Sequence, residues 1–182
     1  ADRPLFPDWS PDGTQLVFAA PDRPRTSSWD VFVMDSGGGP WTNLTRLLDA
    51  EEEQPAWSPD GREIVYVRTT WIQPGDQIDR SLFVLDIATG VTRRLTEPPF
   101  RAEWPAWSPD GEQIAFSAVP EGRDVYNIHV IDRDGRGLRQ LTNFDLTPAV
   151  HPAWFYRDVL LAVSPKGKAA ATWGSIKQGS ME

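Results

Sequence analysis

The sequence predicts an all-β fold of repeated four-stranded antiparallel units, and three observations predict it. One motif returns along the chain: Pro-Asp-Trp-Ser-Pro-Asp-Gly at 7–13, Pro-Ala-Trp-Ser-Pro-Asp-Gly at 55–61 and 105–111, and Pro-Ala-Trp at 152–154. Two further marks follow it in fixed order. They are a Val-x-Asp strand end (33–35, 84–86, 130–132) and a Leu-Thr pair (44–45, 95–96, 141–142). Turn formers are dense, with 17 Pro and 14 Gly in 182 residues. That density opposes long helices and favours short strands.

Each unit is expected to hold four strands. Pro-Ala-Trp-Ser is the first. Ser-Pro-Asp-Gly turns the chain, because Pro presets φ and Gly accepts positive φ. The second strand covers 15–20, 63–68 and 113–118. Its continuous apolar run Ile64-Val65-Tyr66-Val67 suits a strand covered on both faces. The third covers 30–35, 81–86 and 126–132. It leads into Gly-rich turns at 36–39, 88–90 and 134–137, and the fourth carries the Leu-Thr pair. No window supports an amphipathic helix of three turns.

Trp9, Trp57, Trp107 and Trp154 recur at intervals of 48, 50 and 47. Four antiparallel strands at this period read as one blade of a β-propeller. A blade cannot bury both faces alone, so neighbours must stack, and the repeated Trp fills the space between them. The expected division is one domain, 1–182, with blades at about 7–54, 55–104, 105–151 and 152–178. The fourth unit departs from the pattern, since Phe155-Tyr156-Arg157-Asp158 replaces Ser-Pro-Asp-Gly and no Leu-Thr pair follows. The expectation is three full blades plus a partial fourth, with two apolar blade faces left in water.

Rings close with about four to eight blades. Three outcomes stay open for such an arc: two copies joined head to tail into about eight blades, a strained four-bladed ring, or a piece of a longer chain. The first is favoured, since a heterologous contact that closes by rotation makes a ring. A chain that starts at Ala1 without Met or a signal-type apolar region reads as a processed product or an excised piece.

Composition narrows the function. The formal charge is −8, from 18 basic and 26 acidic residues, so the basic face that a nucleic-acid binder needs is not expected. No apolar run reaches the length of a membrane span. With no Cys, thiol chemistry and disulfides are excluded and the redox compartment stays open. No cofactor is expected.

Trp-Ser-Pro-Asp-Gly, an apolar strand, Val-x-Asp and Leu-Thr together resemble the TolB-type propeller repeat over residues 7 to about 154. The resemblance implies the fold. It implies function less sharply, because such blades sit in periplasmic TolB scaffolds, in prolyl-oligopeptidase-like enzymes and in secreted bacterial proteins. It implies a bacterial periplasmic or extracellular setting, with the cytoplasm left open. The six blades and separate N-terminal domain of TolB are not matched here.

Candidate sites follow. Asp12, Asp60 and Asp110, beside Gly13, Gly61 and Gly111, form either a carboxylate ring or plain turn caps. The same choice applies to Asp35, Asp86 and Asp132. Asp132-Arg133-Asp134-Gly135 has the look of a calcium loop, but lacks the glutamate at the twelfth position. His129 and His151 have no nucleophile motif beside them, and G-x-S-x-G is absent. The acidic run Glu51-Glu52-Glu53 reads as a solvated loop ahead of the second blade. Two inserts, 21–29 and 69–80, would emerge on one side of the disc. They carry Arg23, Arg25, Trp29 and Trp71, either as an interaction surface or with the Trp rings folded back on the blade edge. The tail with Trp173 and Ile176 reads either as a closing strand, or latch, against the first blade of its own or another chain, or as a disordered terminus.

The expected function is therefore a non-enzymatic scaffold for protein or glycan contacts that completes its ring as a homodimer. The alternatives are the propeller part of a hydrolase or lyase, and a repeat fragment with no function of its own.

Overall fold

Twelve β-strands make up the regular structure of the computed structural model, which describes residues 3–22, 28–46, 49–72, 77–98, 101–119 and 123–154. The first blade holds β1 (Leu5–Trp9), β2 (Gln15–Pro21), β3 (Trp29–Asp35) and β4 (Thr42–Asn43). The second holds β5 (Ala50–Trp57), β6 (Glu63–Ile72), β7 (Gln77–Asp86) and β8 (Thr92–Arg94). The third holds β9 (Arg101–Trp107), β10 (Gln113–Val119), β11 (Asn127–Asp132) and β12 (Arg139–Gln140). Within each blade the strands pair antiparallel in chain order. A single parallel pairing, Arg80 with Arg101, joins the second blade to the third.

The first strands form the hub. β1 lies against β5 and β5 against β9, whereas the backbones of β4, β8 and β12 approach only their own third strands. The blades thus fan outward from β1, β5 and β9, as in a propeller.

Alternation explains the continuous apolar run. Ile64 and Tyr66 face the first blade and pack with Val17, Val31 and Trp57. Val65 and Val67 face the third blade and pack with Trp107, Ile114 and Phe116. Phe18, Ala20 and Phe32 lie on the other side of the first blade. The ring of Trp41 stands edge-on to Phe18 at 4.9 Å, so that face is partly covered by its own chain rather than bare.

Three strand expectations need correction. β5 and β9 begin at Ala50 and Arg101, upstream of the expected Pro55 and Pro105. The reason is a bulge that hides the pairing from the motif. Phe6, Gln54, Trp104 and His151 all take φ between 52° and 55°, and each precedes the motif Pro. The register slips at this point in all three blades. Proline lacks an N–H for the ladder, and a bulge is where a strand tolerates it. Next, 69–72 and 77–80 are strand rather than loop: β6 and β7 pair out to Ile72 and Gln77.

The Leu-Thr pair, finally, lies just past the fourth strand. In each blade Leu donates its N–H to the carbonyl of a third-strand residue, and Thr Oγ1 accepts the N–H of that same residue. The residues are Val31, Leu82 and Ile128, with Thr distances of 3.1, 2.9 and 2.9 Å. A side-chain hydroxyl thus replaces the backbone carbonyl that would extend the ladder.

Candidate interaction surfaces

The Ser-Pro-Asp-Gly turns are closed by their own side chains. Ser10, Ser58 and Ser108 donate to Asp12, Asp60 and Asp110 at 2.6 Å. Each Asp also accepts the backbone N–H two residues on, at 3.0 Å. Gly13, Gly61 and Gly111 close the turns at φ of 68–74°, a region that a Cβ disfavours. The serine hydroxyls first, then the backbone donors, hold the Asp12 and Asp110 carboxyls below their ordinary pKa. Of the strand-end aspartates, Asp86 caps Thr89 and Asp132 accepts from Gln113. Arg133 spans two blades on this rim, bonding Asp60 at 3.0 Å and Glu63 at 2.8 Å. Asp134 caps the N–H of Arg136. Among the described residues no three metal-ligating side chains converge.

The repeated tryptophans bind one blade to the one before it. Trp107 donates its indole N–H to the carbonyl of Ala56 at 3.3 Å, and Trp154 donates to Ala106 at 3.0 Å. In the first joint the residue before Trp is Asp8, whose carboxylate accepts the backbone N–H of Trp57 at 2.7 Å. Trp57 and Trp107 are each 8% exposed, whereas Trp9 is 55% exposed, with Leu5 and Phe6 also exposed beside it. Trp9 has the motif but no preceding blade among the described residues.

The acidic run is not a solvated loop. Glu51, Glu52 and Glu53 lie within β5, and Glu52 is fully buried. The bulge at Gln54 conceals from the sequence that the strand continues through the run. Glu52 accepts from Arg68 Nε at 2.9 Å. The Arg68 guanidinium also lies 4.1 Å from the Phe83 ring centre. Glu53 and Glu103, at equivalent places in two blades, both bond Arg80, and Tyr126 donates to Glu103 at 2.8 Å. Next to them runs a hub chain that sequence reasoning missed. Gln54 Oε1 accepts the N–H of Trp104 at 2.6 Å, and the Trp104 ring lies 4.4 Å from that of His151. The signal was present in the residue before each motif Pro, which differs in type from unit to unit.

His129 is buried against Phe116, and burial holds its pKa below the ordinary value. Trp71 and Ile78 are cross-strand partners near the tip of the β6–β7 hairpin, and both are exposed. Trp29 pairs with Pro21 at the loop end of the β2–β3 hairpin and is half-buried. Arg23, Arg25, Trp173 and Ile176 lie outside the described residues. Among the described residues no helix is long and apolar enough to cross a membrane.

No family model matches the chain. Over 90 residues it is 29% identical to dipeptidyl-peptidase 5 of Porphyromonas gingivalis, covering 45% of this chain and 13% of that protein. Two solved structures are similar over most of the chain. A TolB of Agrobacterium tumefaciens is 27% identical with a TM-score of 0.62, over 75% of this chain and 45% of that one. TolB of Acinetobacter baumannii is 22% identical with a TM-score of 0.61, over 78% and 33%. The chain spans less than half the length of each of these relatives. It is a TolB-like β-propeller fold, all-β with antiparallel blades.

Proposed function

We propose that the chain is a non-catalytic propeller scaffold that completes its ring with a second copy and offers its rim to a protein or glycan. One observation carries the reading. Trp57 and Trp107, each with a preceding blade, are 8% exposed and Trp154 is half-buried, whereas Trp9 is 55% exposed. An apolar surface of this kind is an association site. The blade it fits is one of its own repeat, because Trp57 and Trp107 already sit against such blades. A head-to-tail contact between two copies closes by rotation. Trp71 and Ile78, raised on the tall second-blade hairpin, are the side chains offered to the partner. The setting that goes with a TolB-like scaffold is the bacterial periplasm or cell exterior.

Light scattering at micromolar concentration tests the ring. A mass near twice 20.4 kDa that falls to the monomer value in Trp9→Glu is expected. A sharp monomer mass for the unaltered chain sinks the reading. A second reading is favoured by the likeness to dipeptidyl-peptidase 5: the chain is the propeller part of a peptidase. Under it the unaltered chain is a monomer, so the same measurement separates the two.

A further inference from the structure

The joint between the first and second blades contains two carboxyls where one charge has a partner. Asp30, on β3, is 1% exposed and Glu52, on β5, is 0% exposed. Asp30 Oδ2 accepts from Asn43 at 2.6 Å, and Glu52 Oε1 accepts from Arg68 Nε at 2.9 Å. The remaining oxygens, Asp30 Oδ1 and Glu52 Oε2, are both buried without a donor. The two carboxyls meet side chain to side chain. Two carboxylates cannot hydrogen-bond each other, since each has acceptors alone. A carboxylic acid and a carboxylate can, because the acid supplies one O–H donor.

We infer that Asp30 and Glu52 share one proton across this joint, and that losing the proton loosens the first blade from the second. With the proton in place, one O–H···O bond satisfies both orphaned oxygens. The cluster of Asp30, Glu52 and Arg68 is then neutral overall. Without it, two like charges face each other in a buried site with the one guanidinium held at Glu52.

The surrounding groups agree. Arg68 on β6 is bonded to both Glu52 and the Tyr66 hydroxyl. The Thr45 side chain, just past β4, acts to lower the Glu52 carboxyl. Asp22 and Arg46 act on Asp30 with opposite signs. Asp8 occupies another part of the same joint, where it accepts the Trp57 N–H. Burial first, then the Asp30 charge working against Arg68, pushes the Glu52 carboxyl up to about 7. Burial also raises Asp30. A carboxyl raised in the folded state stabilises fully below its unfolded value of about 4.3, and the contribution is lost as pH rises through the folded value. The window is therefore from mildly acidic to just above neutral, opposite in direction to ordinary acid unfolding.

The test is urea unfolding of the full chain from about pH 5 to pH 8.5, beside Glu52→Gln and Asp30→Asn. The folding constant of the unaltered chain, relative to Glu52→Gln, is expected to weaken on the order of 10- to 100-fold across the window. In the variant the amide N–H₂ donates to Asp30 at every pH, while Oε1 keeps Arg68. Parallel pH profiles for the unaltered chain and either variant overturn the inference. Infrared spectroscopy of the unaltered chain with ¹³C-labelled Glu and Asp is independent of whether the variants fold. A protonated carboxyl band at pH 6 that vanishes by pH 8.5 is expected, and its absence at pH 6 overturns the inference.

Discussion

Trp154 donates its indole N–H to the carbonyl oxygen of Ala106 at 3.0 Å, as Trp107 does to Ala56 one unit earlier at 3.3 Å. Trp154 therefore reaches the third blade by the same bond, although the sequence departs from the repeat right after it. In the joint between the first and second blades the Trp57 ring packs against Val17 and Val31 while its Nε1 is buried without an acceptor, so what the joints share is the packed ring rather than this bond.

The first prediction concerns these tryptophans. Trp107→Ala removes a buried ring from the second joint and is expected to cost about 3–5 kcal/mol. Trp9→Ala, at a mostly exposed site, is expected to cost under about 1 kcal/mol at chain concentrations where the monomer dominates. Urea unfolding at low micromolar concentration compares them.

A second prediction addresses the Leu-Thr pair. Thr96→Val keeps the shape but deprives the Leu82 N–H of its acceptor. An unsatisfied buried donor costs about 1–3 kcal/mol. Thr96→Ser retains the hydroxyl and should recover most of the loss. Thermal unfolding of both variants, with hydrogen exchange of the Leu82 amide, checks this.

Arg80 lies between Glu53 and Glu103 from adjoining blades. Arg80→Met leaves these carboxylates unbalanced and is expected to destabilise by roughly 2 kcal/mol, less than for a fully buried pair because the site is partly solvated. Adding Glu103→Gln to Arg80→Met should recover part of the loss. A double-mutant cycle in urea measures the coupling.

Acid should act through the turns. Asp12 and Asp110 have lowered pKa values, set first by Ser10 and Ser108 and then by backbone donors. A depressed folded value means stability that is present above the unfolded value of about 3.9 and lost as pH falls through the folded one. Unfolding midpoints measured from about pH 5 to pH 2 should fall steeply. Asp110→Asn should flatten part of that slope.

The repeat made the fold legible, because three marks in fixed order locate a blade regardless of what each mark does. Their roles were less legible. Leu-Thr was read as strand, yet it forms a clamp whose Oγ1 stands in for a carbonyl. Glu52 was read as solvated, since three adjacent glutamates resemble a surface run. Only the extension of β5 beyond a bulge, and Arg68 opposite it, put that carboxyl inside. The Trp9 surface was foreseeable from the unit count. The Trp41 edge contact with Phe18 was not, because Trp41 lies off the repeat.

The left-handed residue before each motif proline has a longer consequence. Phe, Gln, Trp and His occupy this position in turn, all within 52° to 55° of φ. The position, and not the residue type, dictates the backbone shape, and none of the four is the glycine that such φ favours. The hub therefore carries a series of anchored slots whose side chains can be exchanged without redrawing the chain path. Diversity there can accumulate one unit at a time, as in a set of type held in a fixed frame.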